Sequence, residues 1–386
     1  MKKFDWKGII KANIIVLKFV GLWPAGDETY GCNLYTLYAI VSTILFHFGH
    51  NLFQTVNLFL ILDDLEAVTG TIFILLMKIA SSLKAYHLIK NMKMLKKLMI
   101  TINCNLFQPK NSEQKILIQP NIKAWRICVS TFSTFTVSAL FLSSLYPVLD
   151  KSFYQYRLPF LAWYPYNTKT SPQYEITYIY QALSVISLAV VTLGIDSLIA
   201  ALNMFIAAQF DILNNDLRNL HPVNNNNNNN SIDVVNDLKK CVHHHREILK
   251  FADYANRFYN WLLLVQFFVG GVSIGLSMFQ LTLVIPFSPE FYMLLTYGTA
   301  ISVQVFMYCW FGNQIEVKSS DLSYSVFESD WTDLPPEVMK NFIIFTMRIQ
   351  RPLKIAALNL FYLSLTTYVK ILKTSWSYFA LLRQIT

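Results

Sequence analysis

Charge is what this sequence has least of. Asp, Glu, Lys and Arg make up 14% of its 386 residues, against 54% hydrophobic residues. Soluble domains average about 25% charged residues, so an ordinary water-soluble domain is excluded. Catalytic signatures are missing too. No nucleophile elbow, phosphate loop or His-Glu-x-x-His pair is read from the chain, so it is not expected to be an enzyme or to use a cofactor. The DRY and NPxxY elements of rhodopsin-like receptors are absent. The net charge of +9 has no nucleic-acid-binding motif beside it and sits between apolar runs, which points to a membrane surface.

Apolar runs are abundant. A bilayer core of about 30 Å needs about 20 apolar residues per helical span. Seven stretches qualify, near 34–62, 66–89, 125–148, 176–207, 258–286, 291–315 and 354–382. The expected fold is an all-α membrane protein with seven transmembrane helices and no separate soluble domain. The segment Ile9–Val20 is short and interrupted by Lys11 and Lys18, so a first membrane helix, not a cleavable leader, is expected to target the chain.

Basic residues alternate between connections. Residues 1–33 carry five lysines, and 84–126 carry nine Lys or Arg against Glu113 alone. Residues 208–257 hold six Lys or Arg and 316–354 hold five, whereas 287–290 has none and the first turn has Asp63, Asp64 and Glu66. Basic short loops favour the cytoplasm. An intracellular N-terminus and an extracellular C-terminus follow, the reverse of a rhodopsin-like receptor. Cys32, Cys104, Cys128, Cys241 and Cys309 then all lie on the inner side, where reduced thiols are expected. The sequon at Asn229 would be cytoplasmic and unused.

The connections have their own character. The aromatic segment 149–175, with Tyr154, Pro159, Trp163, Tyr164 and Tyr166, reads as a lid over the outer helix ends or as an interfacial aromatic belt. The asparagine run Asn224–Asn230 is low-complexity and reads as a disordered loop tip. Its flanks, Ile212 to Leu217 and Val234 to Leu249, extend helices 4 and 5 below the membrane. Residues 316–350 do the same for the next connection, and Pro335-Pro336 breaks them. Such apolar extensions bury against each other or, as preferred here, against copies of the chain as an assembly platform.

The final stretch is the most particular. A continuous helix from Lys354 to Ile385 would reach about 48 Å at 1.5 Å per residue, so it must protrude or break. Lys370, Thr374, Ser377, Leu381 and Gln384 recur at spacings of 4, 3, 4 and 3, one face of a helix. A lysine in a membrane helix rarely faces lipid. The stripe therefore faces water, as a pore lining, or packs inside the bundle.

The order of motifs in this region carries a family resemblance. Tyr308-Cys309-Trp310-Phe311-Gly312-Asn313, then Trp331, then Arg348-Ile349-Gln350-Arg351-Pro352, then Lys373-Thr374-Ser375-Trp376-Ser377-Tyr378-Phe379, with Gln384 near the end, resembles the C-terminal signature of the insect odorant receptors. The match is strong over 308–384 and diffuse upstream. Gln314, Val326-Phe327 and Trp376 depart from the family pattern but keep size or polarity.

The resemblance implies an odorant-binding subunit of a heteromeric, ligand-gated, non-selective cation channel in the plasma membrane of olfactory neurons. Its partners would be a small neutral volatile ligand and a co-receptor subunit in a tetramer. It further implies a pore lined by the last helix alone. Leu381 and Gln384 would be at its narrow point, with Ser377, Thr374 and Lys370 behind them. Arg348, Gln350, Pro352 and Trp331 would serve subunit contact, with Pro352 starting the last helix. The 4–5 connection lacks the long insertion of the co-receptor, so a tuning subunit is implied. The chain divides on this reading into a six-helix bundle over 1–315, with cytoplasmic extensions around 208–257, and an anchor plus pore helix over 316–386.

A ligand pocket is implied in the outer half, between helices 2, 3, 4 and 6. The residues expected there are Phe73, Met77, Ser138, Phe141, Leu145, Tyr178, Ala182, Tyr292, Thr296 and Tyr297, a set with no acid or base. Tyr292 and Tyr297, five apart, do not share a face, so at most one points inward. Lys78 and Asp196 lie inside expected spans and either pair directly or find other buried partners. Cys241 and His243–His245 lack the further ligands a zinc site needs. The rival readings are a gustatory-receptor-like channel, a multi-pass transporter, which would show internal repeats, and a G-protein-coupled receptor, which the charge alternation opposes.

Overall fold

The computed structural model describes residues 4–26, 29–220, 230–329 and 336–385. Two short helices, α1 (Trp6–Ile9) and α2 (Lys11–Phe19), precede the first span. That span is α3 (Leu34–Ser42), a π-helical stretch (Thr43–Gly49) and α4 (His50–Leu60) in continuous succession. Tyr180, from the later helix at 173–218, donates its hydroxyl to the Leu45 carbonyl in this widened stretch at 2.8 Å.

Next come α5 (Leu65–Lys90), α6 (Met92–Ile102), α7 (Ser112–Leu149), α8 (Gln173–Arg218), α9 (Asn230–Leu283) and α10 (Pro289–Phe327). After α11 (Pro336–Ile349), two-residue strands β1 (Ala356–Ala357) and β2 (Phe361–Tyr362) make a small antiparallel hairpin before α12 (Leu365–Ile385). Five helices, α5 and α7 to α10, are long and apolar enough on their own to cross a membrane. The interrupted α3–α4 run and the polar-striped α12 supply the other two expected spans.

The last expected span is corrected at its start. Residues 354–364 are not helical. Leu358 and Asn359 both adopt positive φ, 47° and 58°, and turn the hairpin. Ser364 then opens α12, its hydroxyl accepting from the Thr367 amide at 3.3 Å. The surplus length expected for a single helix is thus taken up by a break. Pro352 correspondingly lies in the linker after α11, not at a helix start.

Four helices overshoot the membrane. The 46 residues of α8 reach about 69 Å, more than twice the bilayer core. Together with α1, α2, α6 and α11, these overhangs pack into the largest core of the protein. From Gly194 to Phe210 every residue of α8 is buried, so its inner half is the central helix of that core. The preference for an assembly platform is corrected accordingly: most of these apolar faces bury one another. Ile343, Ile344 and Met347 on α11 remain exposed. The half of the bundle away from that core is sparser, with a small cluster around Phe73, Leu276 and Leu294. The boundary expected at residue 315 falls inside α10, which runs unbroken to Phe327. The Asn224–Asn230 run lies, apart from Asn230, outside the described residues, as does Trp331.

Candidate ligand cavity and terminal helix

A cavity of about 130 Å³ opens between α5, α7, α8 and α10, beside the smaller cluster around Phe73 and Leu294. Its size is close to the engineered apolar cavity of about 150 Å³ that accepts benzene. Phe73, Ile74 and Met77 line it from α5, and Phe132, Thr136, Ala139, Leu140 and Ser143 from α7. Val185, Leu188, Ala189 and Thr192 come from α8, and Met293, Leu294, Tyr297, Ala300, Ile301 and Gln304 from α10. Tyr297 is fixed by its hydroxyl, which donates to the Phe73 carbonyl at 3.2 Å.

Of the ten residues expected at a pocket, Phe73, Met77 and Tyr297 line this cavity. Ser138, Phe141, Leu145, Tyr178, Ala182, Tyr292 and Thr296 do not. The elements are those expected, but the helix phases differ. On α7 the lining residues lie on nearly the opposite helix face from Ser138, Phe141 and Leu145, and Phe141 is 63% exposed. Tyr292 is exposed while Tyr297 points in. Tyr178 donates instead to the Ser144 carbonyl.

The segment before α8 closes the cavity. Phe160 and Tyr164 are buried, and Phe160 lines the cavity. Gln181, fully buried on α8, clamps the Phe160 backbone from both sides. Its Oε1 accepts from the Phe160 amide at 3.1 Å, and its Nε2 donates to the Phe160 carbonyl at 3.0 Å. The Trp163 amide donates to the Phe53 carbonyl at 3.2 Å, tying the other side of the segment to α4. The segment is a lid, the first of its two readings.

Two lysines enter the bundle from α5. Lys84 meets Asp196 on α8 at 2.7 Å, both almost fully buried. Lys78 meets no carboxylate among the described residues. Its Nζ lies 2.8 Å from His50 Nε2, 2.9 Å from Gln54 Oε1 and 4.2 Å from the centre of the Phe160 ring. Lys78 and Asp196 therefore find other partners and do not pair. Because Lys78 also lines the cavity, the expectation of a wall without acid or base is corrected. Polar contacts continue from the cavity floor. Gln304 donates to Asp196 and accepts from Gln266 of α9 at 2.8 Å.

From Gln266 it is one turn of α9 to α12. Gly271 and Gly275 let the two helices meet closely, and Ser375, fully buried, donates to the Gly271 carbonyl at 2.8 Å. This segment, Gly271-Val272-Ser273-Ile274-Gly275, does have the spacing of a nucleophile elbow. It lies in mid-helix, and Ser273 donates to the Phe73 carbonyl at 3.2 Å, so it is a packing element. Farther back, Gly312 on α10 leaves room for the hairpin end; a Cβ there would collide with that of Leu363.

The buried face of α12 carries Ile371, Ser375, Phe379 and Leu382. The opposite stripe, Lys370, Thr374, Ser377, Leu381 and Gln384, is exposed throughout. Packing of the stripe inside the protomer's own bundle is thereby excluded. Thr374 and Ser377 hydroxyls return to the carbonyls of Lys370 and Lys373. Exposed Val369 and Trp376 flank the stripe on one side and Tyr378 on the other. Arg348 and Gln350 are exposed at the end of α11.

The family model described as 7tm Odorant receptor matches residues 64–376. The chain belongs to that family. Odorant receptor 46a, isoform A, from Drosophila melanogaster is 22% identical over 96% of both chains. Odorant receptor Or1 from Anopheles gambiae is 22% identical over 99% of this chain and 96% of its own. The structure of the insect olfactory receptor OR5 from Machilis hrabei in complex with eugenol superposes with a TM-score of 0.85 over 99% of this chain and all of that one, at 18% identity. The odorant receptor is accordingly a multi-pass protein of the plasma membrane, in a family of ligand-gated cation channels and not of enzymes.

The five cysteines are free, and no cluster of metal-ligating side chains occurs among the described residues. His244 and His245 are structural. His244 donates to Gln209 Oε1 at 3.1 Å, and His245 packs on Phe345. Both lie on the part of α9 before residue 258, outside the membrane segment. Burial lowers their pKa values to about 3 and about 4. Sequence reasoning left out Thr136 and Ser143, which are two among many hydroxyl residues spread round α7, and Gln304, which is flanked by Val303 and Val305.

Proposed function

We propose that this odorant receptor is the odorant-binding subunit of a heteromeric, non-selective cation channel in olfactory neurons, assembled as a tetramer with a co-receptor of the same fold. The ligand is a small volatile molecule with a mainly apolar body, held in the cavity beneath the Phe160 lid by dispersion and a few hydrogen bonds. The related OR5 is described in complex with eugenol, a molecule of that kind. The N-terminus and the large core lie in the cytoplasm, and the lid lies outside.

The observation that carries this reading is the α12 surface. A polar stripe of five residues, one of them a lysine, faces outward from the protomer between exposed apolar shoulders. A charged side chain does not face lipid without a large penalty, about 2.5–3.5 kcal/mol on insertion scales. Four copies around an axis turn the stripe to water and the shoulders to one another. The Leu381 side chains then form a ring that gates by dewetting, and the Gln384 carboxamides form a ring that hydrates a passing cation. Arg348, Gln350 and Pro352, at and just after the end of α11, serve contacts between subunits, and so does Trp331.

Coupling follows the packing already described. Ligand in the cavity bears on α10 and α5, Gln304 reaches Gln266 on α9, and α9 carries α12 through Gly271 and Gly275. The test is ligand-evoked current with and without an insect odorant co-receptor. Current only with both subunits supports the reading. Current carried unchanged by the co-receptor alone contradicts it.

A further inference from the structure

Resting on the ligand cavity of the proposed function, we propose that Lys78 makes it selective for a carboxylate: the preferred ligand is a small volatile acid whose apolar tail fills the cavity and whose carboxylate pairs with Lys78 Nζ.

The two buried lysines of α5 make the contrast. Lys84 and Lys78 are both almost completely buried, and only Lys84 has an acid opposite. Around Lys78 Nζ stand an imidazole nitrogen, a carboxamide oxygen and an aromatic ring face, none of them anionic. A buried ammonium without a counter-charge is expensive, and removal of that expense is what an anionic ligand offers. An ammonium has three hydrogens. His50 and Gln54 take two of them, and the third lies against the Phe160 ring. A ring face is a weaker partner than a carboxylate, which forms a charge-assisted bond.

Position agrees with chemistry. Lys78 and Phe160 both line the cavity, and Nζ stands 4.2 Å from the centre of the Phe160 ring, so the amine lies at the cavity wall beside the lid. The rest of the lining is mostly apolar and aromatic side chains with a few hydroxyls and the Gln304 carboxamide, suited to a hydrocarbon tail. The cavity of about 130 Å³ suits a chain of few carbons.

The test compares hexanoate, hexanal and 1-hexanol, three molecules with one skeleton, on the full-length receptor purified with its co-receptor. Binding is read by the concentration dependence of the thermal midpoint. Hexanoate is expected to bind at least tenfold more tightly than 1-hexanol. The neutral, similarly sized Lys78→Met is expected to lose that preference while holding 1-hexanol within about twofold, and Lys78→Arg to keep part of it. Equal affinity for hexanoate and 1-hexanol in the wild type, or undiminished hexanoate affinity in Lys78→Met, overturns the proposal. A preference for hexanal trapped by borohydride reduction also overturns it. Should Lys78→Met fail to fold, the wild-type series and Lys78→Arg decide alone. Currents recorded in parallel separate the two levels. Hexanoate binding without current removes the channel reading and leaves the acid site. Current with 1-hexanol as potent as hexanoate does the reverse.

Discussion

Ser375 on α12 donates its hydroxyl to the carbonyl of Gly271 on α9 at 2.8 Å. One turn farther along α9, a Cβ at Gly275 would lie only 2.8 Å from the Ser375 carbonyl oxygen. The contact is therefore backbone against backbone, the closest kind that two helices make, and it needs small residues on α9. Replacing Gly275 with Ala should push the helices apart, with a penalty of about 1–3 kcal/mol for overpacking. The expected outcome is a lower thermal midpoint and a loss of evoked current at normal surface expression. Unchanged current would show that α12 does not depend on this contact.

Lys84 and Asp196 form the deepest ion pair in the bundle. Removing one partner strands a charge, a loss of about 3–5 kcal/mol for buried pairs, whereas removing both can be nearly neutral. Lys84→Met and Asp196→Leu should each reduce folded protein at the cell surface, and the double variant should recover most of it. A double variant as poor as the singles would place the importance of Asp196 in its contact with Gln304 instead.

His244 and His245 give the inner core a pH dependence. Burial holds both neutral, with pKa values lowered to about 3 and about 4. The unfolded chain takes up those protons near pH 6.5, so their contribution is complete above that pH and is lost as pH falls toward 4. The loss approaches about 1.4 kcal/mol per pH unit for each group. The thermal midpoint of the receptor in nanodiscs should therefore fall between pH 6.5 and 5. Replacing both histidines with leucine should flatten that slope; an unchanged slope would mean other groups set it.

Gln181 holds the lid by two hydrogen bonds to the Phe160 backbone. Gln181→Leu leaves a buried amide and carbonyl without partners, a penalty of about 1–3 kcal/mol for each. Lower apparent ligand affinity with faster current decay on washout is expected, read from dose-response and deactivation. Identical kinetics would mean that the lid does not retain the ligand.

How much of this was legible follows from how each signal travels. Apolar run length is local, so the seven spans and their order could be read directly. Helix phase was not legible on α7, where apolar and hydroxyl residues alternate on every side from Ser130 to Ser144; the lining face came out nearly opposite the expected one. Lys78 could be recognised as an anomaly, but its partners His50, Gln54 and Phe160 come from an earlier helix and a later loop, which no local pattern joins. The hairpin at 356–362 was hidden because Leu358, a branched apolar residue, occupies positive φ. The α12 stripe was legible as a face, and its outward direction needed the rest of the protomer.

The most direct measurement is a cysteine scan of α12 in channels formed with the co-receptor, using a charged, water-soluble thiol reagent applied from outside during ligand-evoked current. Cysteine at Thr374, Ser377, Leu381 and Gln384 should be modified and change the current, whereas cysteine at Ser375 and Phe379 should be protected. Protection along the stripe, or modification without any effect on current, would contradict a pore lined by this face.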